Sequence, residues 1–141
     1  MNIQLDTFTD HLQVVLTGQI DLQEATGSME SVVDALAVAG VRKILVDARM
    51  ATGTLYLADL FWHIELIKQH QALLIKKGLK LVRIADLIPL ELLDSKSVGE
   101  LMAENRGLIL KVFTEEQEAL AWLDVSPQRK ENLQTLGPMQ L

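Results

Sequence analysis

The chain has 141 residues, with 13 Lys and Arg against 19 Asp and Glu, a formal charge of −6, so it lacks the basic surplus of a strongly basic nucleic-acid binder. Hydrophobic residues make up 49% and charged ones 23%, a globular balance, and at this length one domain with a single core is expected. There is no cysteine, which excludes disulfides, thiolate nucleophiles and cysteine-based zinc sites and suits a reducing cytoplasm.

The opening MNIQLDTFTD has neither a basic n-region nor an apolar h-region, and uncharged runs such as His11 to Ile20 have about half the residues that a membrane span needs. A soluble, cytoplasmic, unprocessed chain is expected. Ile3, Leu5 and Thr7 alternate with polar neighbours, Asp10-His11 interrupts, and Leu12-Gln13-Val14-Val15-Leu16 resumes, which predicts a hairpin of two strands. Asp21 stands three residues before Glu24 at capping-box spacing, and Leu22, Ala25, Met29, Val32, Val33 and Leu36 recur with helical period as far as Gly40. One helix is predicted there, weakened by Gly27.

Val41 to Asp47 is a nearly unbroken apolar run, the pattern of a central parallel strand covered on both faces. A helix follows over Leu55 to Lys77, stopped by Gly78, and Leu79 to Ala85 predicts the next strand. Pro89 suits the first turn of another helix, which runs through Val98, Leu101 and Met102 to a stop at Gly107. Leu108 to Phe113 reads as a last strand, and Thr114 with Gln117 as a capping box for a helix through Ala119, Leu120, Trp122 and Leu123. From Val125 onward the pattern disappears, so residues 125–141 are expected to be a flexible or docked tail. The alternation predicts an α/β fold: an open, mostly parallel sheet with an N-terminal antiparallel hairpin as its edge and helices packed on it.

Within this order, Asp47-Ala48-Arg49, the Thr-Gly-Thr loop at 52–54, Asn105-Arg106-Gly107, Val112-Phe113-Thr114 and Glu118-Ala119-Leu120-Ala121-Trp122-Leu123 resemble the SpoIIAA-like (STAS/SEC14-like) bacterial proteins over roughly residues 1–124. The resemblance implies a small cytoplasmic α/β domain related to anti-sigma-factor antagonists and to lipid-carrier folds, mostly without an assigned enzymatic activity. Sporulation-type antagonists are switched at a serine that begins the helix after the central strand. Here that loop offers only Thr52 and Thr54. Thr54 is the candidate phosphoacceptor, because a helix N-terminus stabilises phosphate, and the alternative is that it simply caps the helix.

Open α/β sheets bind ligands beyond the carboxyl ends of their strands, where Asp47, Arg49, Thr52, Thr54, Asp86 and Asp21 are expected to gather. Such a cluster suits Mg²⁺ or acid–base chemistry, while capping and ion pairing account for the same residues without function. His63 and His70 are seven residues apart on one helix, about 10.5 Å, too far to share one metal. His11 reads as a solvated turn residue. No nucleophile elbow, phosphate-binding loop or dinucleotide fingerprint occurs, and no cofactor is implied.

At 100° per residue, Leu57, Leu60, Phe61, Ile64, Ile67 and Ile75 fall on one face of the long helix, whereas Trp62, Leu66 and Leu73 fall nearly opposite. The first face is expected to cover the sheet. The second is expected to meet a second copy or a protein partner, or to lie under Leu133, Leu136 and Met139 of the tail. Leu87-Ile88-Pro89-Leu90-Glu91-Leu92-Leu93 suits the gate of an apolar ligand pocket or a helix packed in the core. The expectation is a non-enzymatic interaction module, self-associating through Trp62, Leu66 and Leu73. The alternative is a carrier or sensor of a lipid or other small apolar ligand.

Overall fold

The computed structural model describes residues 1–54, 56–78, 81–91, 96–125 and 135–140. Strands β1 (Asn2–Thr7) and β2 (Leu12–Gln19) form the expected antiparallel hairpin, with Ile3 opposite Leu16 and Leu5 opposite Val14, so one apolar face is shared. Its turn is closed by the Phe8 N–H donating to the His11 carbonyl at 2.9 Å. His11 is not solvated as expected: it is 2% exposed, stacked on Phe8 at 4.6 Å, with Nδ1 2.7 Å from Asp10 Oδ1.

Asp21 caps the next helix as its spacing predicts, Oδ1 accepting from the N–H groups of Gln23 at 2.9 Å and Glu24 at 3.2 Å. Glu24 does not complete a capping box. Its carboxylate lies 3.4 Å from the N-terminal ammonium of Met1 instead. The single predicted helix is divided into α1 (Leu22–Gly27) and α2 (Met29–Ala39). The break falls where Gly27 lowers helix propensity and the Ser28 hydroxyl donates to the Ala25 carbonyl at 2.7 Å. Gly40 then ends α2 in the left-handed region, φ 68°, which glycine adopts without a Cβ penalty.

Strand β3 (Lys43–Thr52) pairs in parallel with β2, helix α3 (Leu57–Lys76) returns the chain, and β4 (Arg83–Leu87) pairs in parallel with β3. Helix α4 (Lys96–Asn105), strand β5 (Ile109–Phe113) and helix α5 (Glu116–Leu123) repeat the unit. The N-caps of α3 and α5 are Tyr56 and Glu115, neither with a side-chain bond, so neither Thr54 nor Thr114 is the cap its position suggests. Strand β4 ends two residues later than predicted, because Leu87 finds register partners in Asp47 and Phe113, and residues 79 and 80 of the predicted strand lie outside the described residues.

Among the described residues six strands form one sheet in the order β5-β4-β3-β2-β1-β6, where β6 is Thr135–Gln140. The hairpin is therefore not the edge. Strand β6 pairs antiparallel with β1, Gln140 opposite Asn2 and Pro138 opposite Gln4. Part of the expected tail is thus docked on the sheet, and Pro138, with no N–H to give, is tolerated on an outermost strand. This places β6 beside β1 rather than over α3; Leu133 lies outside the described residues.

Side chains alternate across the sheet. On one face Ile3, Leu5, Leu12, Val14, Leu16, Ile44 and Ile84 pack with Ala35, Leu36 and Leu74 from α2 and α3, and Ile64, Ala103 and Leu108 extend that layer towards α4. On the other face Leu45, Ala85, Leu87 and Phe113 meet Ala119, Leu120 and Leu123 of α5. At eight residues α5 is too short to persist alone, and its stability comes from this packing. Two cations from the sheet complete it: Arg83 donates from Nη2 to the Trp122 carbonyl at 2.8 Å with its guanidinium 4.3 Å from the Trp122 ring, and Lys43 Nζ donates to the Asp124 carbonyl at 2.9 Å. Arg106 links α3 to α4, pairing with Glu65, donating to the Met102 carbonyl at 2.9 Å and lying 4.8 Å from the Phe61 ring.

Candidate functional site

Between the sheet and helices α1 to α3 lies a cavity of about 190 Å³. Its floor is Leu16, Ile44, Val46, Ala48 and Ile84 from the strands; its roof is Met29, Val32 and Leu36 from α2 and Leu60, Ile67 and Leu74 from α3. Into this apolar space come Ser28, His63, His70, Gln71 and Asp86. Asp86 belongs to β4, beside Val46 of β3 and Val112 of β5, and strand alternation puts it on the same face as Ile84. It lines the cavity, and desolvation there pushes its carboxyl up from 3.8 to about 7.

The histidines and the glutamine come from the inward face of α3. Positions 60, 63, 64, 67, 70, 71 and 74 recur at three- and four-residue steps, so these polar residues share the stripe that buries Ile64 and Leu74. His63 Nδ1 is 3.3 Å from Thr26 Oγ1, and burial lowers the imidazole from 6.5 to about 4. His63 is therefore neutral at pH 7. The His70 Nδ1–H donates to the Leu66 carbonyl at 2.8 Å. Gln71 is 6% exposed, and its Nε2 is shielded from water with no hydrogen-bond partner. Spacing alone shows only that the two histidines are too far apart to share one metal, and it does not single out Gln71. Their signal was polar residues at core spacing on an amphipathic helix.

The expected strand-end cluster is not brought together. Asp86 faces the cavity, whereas Asp47, one residue past the position that pairs with Asp86, faces the α5 side. Asp47 is occupied by Arg49: Oδ1 accepts from the Arg49 N–H at 3.1 Å and from Nε at 3.0 Å, and Oδ2 accepts from Nη2 at 2.9 Å. Arg49 Nη2 also lies 3.4 Å from Glu116 Oε2, tying β3 to α5. The hydrogen bond with Asp47 holds the guanidinium above its ordinary range. Thr52 is exposed at the end of β3, and its carbonyl accepts from the Ile20 N–H at 2.6 Å.

Thr54 is also exposed, but it shares a polar groove with Asp21 and Asp59. A phosphate there would meet two carboxylates, so the electrostatics work against a phosphoacceptor. On α3, Trp62 is 64% and Leu73 54% exposed, and Leu66 is part-buried between them in helical position. Phe61 packs edge-on against Trp62 at 5.8 Å. Phe61 and Ile75, expected on the sheet-covering face, are exposed. Of the predicted gate, Leu87 points to the α5 side, Ile88 lines the cavity and Leu90 is exposed, while Leu92 and Leu93 lie outside the described residues. Among the described residues no group of three His, Asp or Glu could hold a metal, and no helix is long and apolar enough to cross a membrane.

Fold and site together define a mostly parallel α/β domain with an apolar cavity, partly open to solvent, that holds a few polar groups. Among solved structures the chain is similar to an uncharacterized protein of the DUF3478 family from Shewanella loihica PV-4, described as having a SpoIIAA-like fold. Identity is 23%, the match covers 86% of this chain and 91% of that one, and the TM-score is 0.46. That description names the fold to which the sequence motifs pointed. No protein-family model matches the chain, and no curated protein matches it.

Proposed function

We propose that the protein is a non-enzymatic carrier or sensor of a small apolar molecule, bound between the sheet and helices α1 to α3. The observation that carries this reading is the cavity of about 190 Å³, walled by aliphatic side chains and lined also by Asp86 and by Gln71, whose Nε2 has no hydrogen-bond partner. Apolar cavities of about 150 Å³ stay dry and take up benzene. The separation of Asp47 from Asp86 by the sheet supports a binding role over acid–base chemistry, because no second carboxylate of the expected set shares the cavity. Benzene titrated into the protein should shift the methyl resonances of Ile44, Ile67 and Ile84, and Ala48→Leu, which fills the floor, should abolish the effect. Native mass spectrometry of the purified protein should show a co-purifying apolar molecule. Absence of both benzene uptake and a retained molecule would refute the reading.

A second reading, self-association through α3, is favoured by the exposed Trp62 and Leu73 on its outer face. Light scattering over a wide concentration range should find a dimer, and Trp62→Ser with Leu66→Gln should give a folded monomer. A wild-type protein monomeric throughout would exclude self-association.

A further inference from the structure

The class of molecule that the cavity takes can be argued from three features, and the argument rests on the carrier reading. The first is Gln71. Buried amide donors in folded proteins almost always have a partner, and one without a partner needs a reason. Gln71 Nε2 has none, is shielded from water, and belongs to a residue that lines the cavity. A ligand acceptor at that point would satisfy it.

The second feature is charge. No Lys or Arg stands among the described residues that line the cavity, so an anionic ligand would be stripped of water there with neither cation to pair with it. An ammonium group would leave Gln71 Nε2 unpaired, since it carries donors only. The third is size. About 190 Å³ is somewhat more than the cavity that holds benzene, which suits an occupant of on the order of six to ten non-hydrogen atoms. We propose that the site binds a small neutral molecule, a ring or short branched chain with one carbonyl-type acceptor that receives the Gln71 Nε2–H.

Four ligands of similar shape separate the alternatives when titrated into the full chain: acetophenone, isopropylbenzene, benzoate and 1-phenylethylamine. Acetophenone should bind about tenfold more tightly than isopropylbenzene, and Gln71→Leu should remove that preference. The methyl shifts of Ile44, Ile67 and Ile84 in the wild-type protein report the location of the ligand without any variant. Equal binding of acetophenone and isopropylbenzene would overturn the inference and leave the carrier reading standing. Tightest binding of benzoate or of the amine would overturn the neutral class. Failure of all four, with benzene also excluded, would remove the carrier reading itself.

Discussion

Asp86→Asn should change the pH dependence of stability in a direction that its burial dictates. In the unfolded chain the carboxyl releases its proton near 3.8, whereas in the cavity it keeps it to about 7. Below pH 3.8 both states are protonated and burial is not penalised. As pH rises from there to about 7 the unfolded chain binds fewer protons than the folded one, so stability falls by about 1.4 kcal/mol per pH unit, or about 4 kcal/mol in all. His63 runs the other way. Its folded value of about 4 lies below 6.5, so the unfolded chain binds the extra proton and stability rises between those two pH values. In the wild-type protein the two trends cancel over most of that window. Asparagine has no proton to release, so the variant should show the His63 rise alone, about 3 kcal/mol from pH 4 to pH 6.5. Urea unfolding of both proteins, followed by Trp62 and Trp122 fluorescence at several pH values between about 4.5 and 7.5, measures the difference directly. A difference between variant and wild type that does not grow with pH would refute a buried, protonated Asp86.

Two further outcomes follow from local structure. Asp21→Ala removes the acceptor for two N–H groups of α1 and should cost about 1 kcal/mol, whereas Asp21→Ser should cost little; equal losses in urea unfolding would show that the cap is not what matters. Truncation before Thr135 strips β6 from β1, so hydrogen exchange should quicken at the β1 amides that face it, while those of β3 and β4 stay protected; unchanged β1 protection would refute the pairing.

The order of elements was legible because each strand that is covered on both faces leaves an apolar run, as Ile44-Leu45-Val46 does by sending its side chains alternately to the helices and to α5. Strand β6 left no such signal, since an edge strand containing Gly137 and Pro138 has no pattern of its own. The site was harder to read. Whether Asp86 faces the helices or α5 depends on the parity of the pairing that joins it to Val46, and no strand sequence states its own register. On α3 the inward His63, His70 and Gln71 pulled the apparent apolar face towards Phe61 and Ile75, because polarity counts against burial when only the sequence is read. The outward position of Trp62 and Leu73 was legible, since two large apolar residues opposite a buried stripe have few other places to go.

Helix α5 borrows the partners for its last carbonyls from Lys43 and Arg83, residues that reach it only once β3 and β4 are aligned side by side. It should therefore be late to form and early to leave, a unit that opens below the free energy of global unfolding. Such an opening bares Leu45, Ala85 and Leu87 on one side of the sheet, while Ile44, Ile84 and Asp86 keep their helical cover on the other. The two faces of one sheet can in this way fluctuate on separate clocks, with the cavity undisturbed as α5 lifts and resettles.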